Sequence, residues 1–123
     1  MADQTLRNWH ILVVEDEYLL AADLESGLSD AGAIVIGPVA TLESALAMIQ
    51  TEGQIDGAIL DVNLSGLMAY PVADLLAKLR VPFVFTTGYD EEAIPPRFDH
   101  IPRCEKPYTM AKVERAIVRA LRA

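Results

Sequence analysis

Ile11-Leu12-Val13-Val14-Glu15-Asp16-Glu17 decides how this chain folds. Four apolar residues, three of them β-branched, run without alternation and stop at three acids. An unbroken run of that length fits a strand buried on both faces, the kind found in parallel sheets that carry helices on each side. Moving outward, Leu20, Leu24 and Leu28 recur every fourth residue and Gly32 stops the helix they predict. The pattern then repeats. Ile34-Val35-Ile36 reads as a second strand, and Thr41 caps a helix carrying Leu42, Ala45, Leu46 and Ile49 on one face, ending near Gly53.

Ala58-Ile59-Leu60 is a third strand leading into Asp61 and a loop through Gly66. Val72, Leu75, Leu76 and Leu79 then follow at helical spacing, and the helix ends by Pro82. Phe83-Val84-Phe85 is the fourth strand. The fourth helix is expected within Asp90 to Phe98, short or irregular because Pro95 and Pro96 remove donors and restrict the residues before them. Ile101 to Cys104 gives a weak fifth strand, and Thr109 caps a last helix striped with Met110, Val113, Ile117 and Leu121. Five strands alternating with five helices predict a doubly wound α/β fold, because each parallel connection needs a crossover. One domain is expected over residues 1–123, with no repeat or linker to divide it.

Composition excludes several classes. With 52% hydrophobic and 23% charged residues the chain is globular rather than disordered. A net charge of -8 gives no bulk positive potential for phosphate backbones, so direct nucleic-acid binding is not expected. Cys104 is the only cysteine, which rules out an internal disulfide, and the opening Met1-Ala2-Asp3-Gln4 does not read as a secretory leader. No uncharged apolar run approaches the ~18 residues of a membrane span. The expectation is a soluble, cytoplasmic protein without membrane contact.

Sites in open α/β sheets form beyond the carboxyl ends of the strands. There this sequence places Glu15 and Asp16, Asp61, Thr86 and Thr87, and Lys106. Singly each has a plain structural reading. Acids suit a helix N-terminus, Asp61 suits a strand-end turn and Thr87 suits an N-cap. Together, three carboxylates repel unless a cation sits among them, and oxygen donors with no His or Cys nearby favour Mg²⁺. Lys106 would then serve an anion beside the metal.

These residues resemble the receiver domain of two-component response regulators, and the likeness covers nearly the whole chain. The family's acidic pair, phosphate-accepting Asp, Thr with a small neighbour, and Lys-Pro read here as Glu15-Asp16, Asp61, Thr87-Gly88 and Lys106-Pro107. The resemblance implies a flavodoxin-like five-stranded parallel sheet of order 2-1-3-4-5. It further implies that Asp61 accepts a phosphoryl group from a sensor histidine kinase or phosphotransfer protein in a phosphorelay. Mg²⁺ would be held by Asp16 and Asp61, by Glu15 through water and by the Asn63 carbonyl. Thr87, Gly88, Lys106 and Pro107 would bind the phosphoryl group and switch, with Lys106-Pro107 cis, and Asn63 and Tyr89 would tune its lifetime. The output would be contact with a downstream protein, as a monomer or as a dimer formed on phosphorylation. Such a protein assists its own phosphorylation and dephosphorylation but is not a turnover enzyme.

Phe85-Thr86-Thr87-Gly88-Tyr89 also resembles a Phe-x-Thr-Gly subgroup of stand-alone receivers. The family's aromatic three residues before the Lys is replaced by Arg103, so the usual switch is missing, and Tyr89 is the expected substitute. Lys112, Arg115, Arg119 and Arg122 make a basic stripe on the last helix that suits either an acidic partner or a solvated face. Trp9 is expected as a flap over the first strand and Met68 as loop packing. Two other readings compete. A haloacid dehalogenase-type phosphatase needs a second Asp where Asn63 stands, and a phosphorylation-independent docking module would keep the fold without using Asp61.

Overall fold

The computed structural model describes residues 4–88 and 94–123. The elements are β1 (His10–Val14), α1 (Tyr18–Asp30), β2 (Ile34–Val39), α2 (Leu42–Thr51), β3 (Gly57–Asp61) and the two-residue strands β4 (Asn63–Leu64) and β5 (Leu67–Met68). They continue with α3 (Tyr70–Lys78), β6 (Phe83–Thr87), a single 3₁₀ turn at Pro96–Phe98, β7 (Arg103–Glu105) and α4 (Met110–Arg122). The main sheet is parallel in the order β2-β1-β3-β6-β7. Counted without the small β4/β5 hairpin, that is the expected 2-1-3-4-5.

The unbroken apolar runs are buried on both faces, as their lack of alternation requires. Leu12, Val14, Leu60, Phe83 and Phe85 face α2 and α3, whereas Ile11, Val13, Ile59 and Val84 face α1 and α4. Each helix meets the sheet through a stripe at three- and four-residue spacing, such as Ala21, Leu24 and Leu28 of α1 or Val113 and Ile117 of α4. Full burial of one such leucine is worth about 1.5–3 kcal/mol. Thr41 and Thr109 cap as expected, their hydroxyls accepting the N–H of Ser44 at 3.0 Å and of Lys112 at 3.2 Å.

Three of the secondary-structure elements depart from the sequence expectation. β2 runs on to Val39 through Gly37 and a cis bond to Pro38, with an extra residue bulged opposite β1. An edge strand tolerates this proline because no neighbour needs its N–H on that side. After Asp61 the chain forms a hairpin instead of a loop, turned by Ser65 and Gly66, both at positive φ as two-residue hairpin turns of the primed kind need. The fifth strand is shifted to Arg103–Glu105. The expected fourth helix is, in its described part, only the turn Pro96–Phe98, for the reason that the two prolines predict.

That turn is fastened by aromatic packing. Phe98 meets Phe85 edge-on at 5.6 Å and stacks on Tyr70 at 5.8 Å, while Arg97 lies over the Phe98 ring and bonds Asp74 of α3 at 2.9 Å. Trp9 is not a flap across β1. It sits at the strand's entry, 38% exposed, and lines a cleft at the sheet end away from Asp61. Met68 is not loop packing either; it pairs with Asn63 in the hairpin and stays 40% exposed.

Candidate functional site

The ladder builds the site. Val14 pairs with Leu60, so the next residues, Glu15 and Asp61, lie side by side. Asp61 pairs with Thr86, and Thr86 with Cys104. A transverse row of Glu15, Asp61, Thr86 and Cys104 therefore crosses four strands at their carboxyl ends, with Lys106 just beyond. Carboxylate oxygens of Glu15, Asp16 and Asp61 all lie within 4.8 Å of one another.

Lys106 holds this cluster together. Its Nζ donates to Asp61 Oδ2 at 2.8 Å and lies 3.3 Å from Glu15 Oε1 and 3.6 Å from Glu17 Oε2. The Lys106–Pro107 bond is cis, and the Lys106 N–H donates to the Thr87 carbonyl at 2.7 Å. Asp61 Oδ1 accepts the Asn63 N–H at 3.1 Å, and Glu15 Oε2 accepts that of Glu17 at 3.1 Å. Ser65, absent from the sequence reading, donates its hydroxyl to Asp16 at 2.6 Å.

The ionisations follow from this packing. Burial, then the neighbouring Asp61 carboxyl, raises Glu15 to about 8, against the opposing pull of the Glu17 N–H and Lys106. For Lys106, burial disfavours the ammonium, but Asp61 and Glu15 outweigh it and push its pKa up. Burial also acts upward on Asp16, yet the Ser65 hydroxyl and Glu15 hold it below the ordinary carboxylate value. Tyr108, two residues past Lys106, is raised by burial and then by the charge of Glu15. Burial raises the Cys104 thiol as well, which makes it a poor nucleophile.

A cleft of about 340 Å³ opens over the row, walled by Asp16, Asp61, Asn63, Ser65, Gly88 and Lys106 among others. The predicted residues Glu15, Asp16, Asp61, Asn63, Gly88 and Lys106 are thus gathered at one strand-end site. Thr87 is buried at 6% exposure, and Gly88 forms the wall at its strand end. Tyr89 and the segment 90–93 lie outside the described residues. The donor set fits a hard divalent cation. Its ligands are all oxygen, and Glu15 Oε1 is buried with no hydrogen-bond partner among the described residues beyond its 3.3 Å ion pair with Lys106. Lys112, Arg115, Arg119 and Arg122 are all exposed, and no helix among the described residues is long and apolar enough to cross a membrane.

A five-stranded sheet of this order, with an acidic cluster and a lysine at its carboxyl edge, defines a receiver domain. No protein-family model matches the chain. SdrG from Sphingomonas melonis Fr1 is 42% identical, with a TM-score of 0.82 over 97% of this chain and 98% of SdrG. A response regulator receiver protein from Sinorhizobium medicae WSM419 superposes with a TM-score of 0.81 at 27% identity, covering 94% of this chain and 96% of that one. The phyllosphere-induced regulator PhyR of Methylorubrum extorquens is 39% identical over 121 residues, 90% of this chain. The chain spans only 43% of PhyR's length. The chain belongs to the receiver-domain family of two-component response regulators, whose members are regulators rather than turnover enzymes.

Proposed function

We propose that this protein is a cytoplasmic phosphoacceptor: Asp61 takes a phosphoryl group from a sensor histidine kinase or phosphotransfer protein, and the phosphorylated form engages a downstream protein. The observation that carries this reading is the Lys106 to Asp61 contact of 2.8 Å inside a cluster of three carboxylates. An acid placed there for structure alone needs no second and third acid beside it. A further support is that SdrG has been solved in a BeF3-activated conformation, to which this chain is 42% identical with a TM-score of 0.76.

In the proposed reaction an Asp61 oxygen attacks phosphorus, the P–N bond to the donor histidine breaks, and its electron pair stays on the imidazole. Asp16, Asp61, Glu15 and the Asn63 carbonyl would hold Mg²⁺, which when bound offsets the charge of the acidic cluster and of the incoming phosphoryl oxygens. Lys106 already faces Asp61 and turns its ammonium to a phosphoryl oxygen, and the Thr87 hydroxyl takes another. Gly88 lines the cleft beside Thr87, and Pro107 follows Lys106 through a cis bond. Asn63, with Tyr89, borders the path of the water that later hydrolyses the acyl phosphate.

The test is phosphate incorporation, read by intact mass after incubation with acetyl phosphate with and without Mg²⁺, beside Asp61→Asn. Mg²⁺-dependent labelling that disappears in the variant is expected. Labelling that persists in Asp61→Asn would move the acceptor elsewhere, and no labelling by acetyl phosphate or by a phosphorylated histidine donor would leave a phosphorylation-independent docking module as the better account.

A further inference from the structure

Thr86 stands in a fully buried strand where a valine would fill the same space, yet it is 0% exposed and its hydroxyl has no hydrogen-bond partner among the described residues. A buried hydroxyl left unpaired is a net cost to the fold. It is not alone. The Tyr108 hydroxyl is also buried without a hydrogen-bond partner among the described residues. The ladder places Thr86 next to Asp61 and, on the other side, next to Cys104, and by strand alternation it shares the α1/α4 face with Val84. Tyr108 packs against that same hydrophobic cluster, close enough to Glu15, Lys106 and Asp61 for their charges to act on it. Both unused hydroxyls therefore lie beneath the cleft, on the side of the sheet where Lys106 now ties Asp61 to Glu15.

We propose that Thr86 and Tyr108 are positioning residues for the loaded site: when a bound metal displaces the Lys106 ammonium from Asp61 and Glu15, and a phosphoryl group then draws it away, these two hydroxyls donate to the carboxylate oxygens the lysine leaves. The inference rests on the phosphoacceptor reading and adds to it. It gives the domain an internal contact on the α4 side of the sheet, through Tyr108, the face opposite the one on which Arg103 stands in place of the family aromatic. It also accounts for two hydroxyls that a resting core has no use for.

A merely structural hydroxyl and a positioning one differ in sign when removed. Thr86→Val takes away an unpaired polar group at nearly constant volume, so in EDTA it is expected to raise Tm by about 2 °C or more. The same substitution is expected to weaken Mg²⁺ binding, followed by amide shifts on titration with the metal alone, by about fivefold, the size of one hydrogen bond. It is also expected to shorten the lifetime of the acetyl phosphate-labelled protein. Tyr108→Phe, which likewise removes an unpaired buried hydroxyl, is expected to raise Tm in EDTA and to lose Mg²⁺ affinity and lifetime in the same way, and Thr86→Ser, which keeps the hydroxyl, to retain the wild-type affinity. Wild-type affinity and lifetime in both Thr86→Val and Tyr108→Phe would overturn the inference while leaving Asp61 as acceptor. A wild-type protein that neither binds Mg²⁺ nor labels would overturn both readings.

Discussion

The hydroxyl of Ser65 donates to a carboxylate oxygen of Asp16 across 49 positions of sequence, at 2.6 Å. The bond joins the turn after β1 to the hairpin after β3, so two of the loops that wall the cleft are held by one contact. Ser65 sits at φ 53°, a conformation set by the hairpin turn, and this aims its side chain at Asp16.

Ser65→Ala frees Asp16 to rotate. Groups that orient a metal-bound carboxylate typically matter up to about tenfold in affinity when removed, so Mg²⁺ binding is expected to weaken by a few-fold to about tenfold. The bond is exposed, so the fold is expected to lose less than about 1 kcal/mol. Isothermal titration and thermal unfolding in EDTA separate the two effects.

Glu15 sets a pH dependence for the metal-free protein. Its folded pKa of about 8 lies above its ordinary value of 4.5, so the folded state keeps a proton that the unfolded chain releases. Its contribution to stability is complete below pH 4.5 and is lost as pH rises through about 8. Unfolding in EDTA across this window is expected to show a decline that Glu15→Gln flattens. Mg²⁺ binding is expected to tighten over the same range, because the ion displaces that proton.

At the opposite end of the sheet the sign reverses. Asp56 accepts the His10 N–H at 2.8 Å and lies 3.3 Å from His10 Nδ1. Burial acts upward on this carboxyl, but the bonds from His10 and Gln54 outweigh it and hold its pKa below the ordinary 3.8. Its stabilisation is therefore present above pH 3.8 and is lost as pH falls through the lower folded value. Asp56→Ala is expected to cost about 1–3 kcal/mol near neutrality by leaving the His10 N–H unpaired. The difference from wild type is expected to shrink in acid, as urea unfolding at pH 7 and pH 2.5 would record.

Phe98→Ala is expected to destabilise the fold by about 3–5 kcal/mol, since the ring is 3% exposed and contacts Phe83, Phe85 and Tyr70. The larger loss of amide protection is expected in the Pro96–Phe98 turn and in α3, which Arg97 and Asp74 join. Hydrogen exchange would locate it.

Much of this was legible before the fold was seen. Buried strands announce themselves by unbroken apolar runs, and helix faces by spacing, so Ile11–Val14, Leu24 with Leu28, and Thr109 all read correctly. The placement of Glu15, Asp61 and Lys106 followed from one topological rule about strand ends. Ser65 and Thr86 were harder. A serine in a hairpin turn looks like any turn former, and only the register of β3 against β6 shows Thr86 beside Asp61. Continuation of β2 through Pro38 was hidden for a related reason, because a proline breaks a strand in the interior of a sheet but not at its edge.

Both edges of this sheet are blunted. β2 is interrupted by the Gly37–Pro38 bulge, and β7 is only three residues long. Neither offers the flat row of free backbone groups on which another chain adds a strand. Blunted edges of this kind disfavour edge-to-edge addition of one copy to another. The surfaces that remain open to a second chain are those of the helices and loops, where a contact is made through side chains and not through a shared backbone ladder.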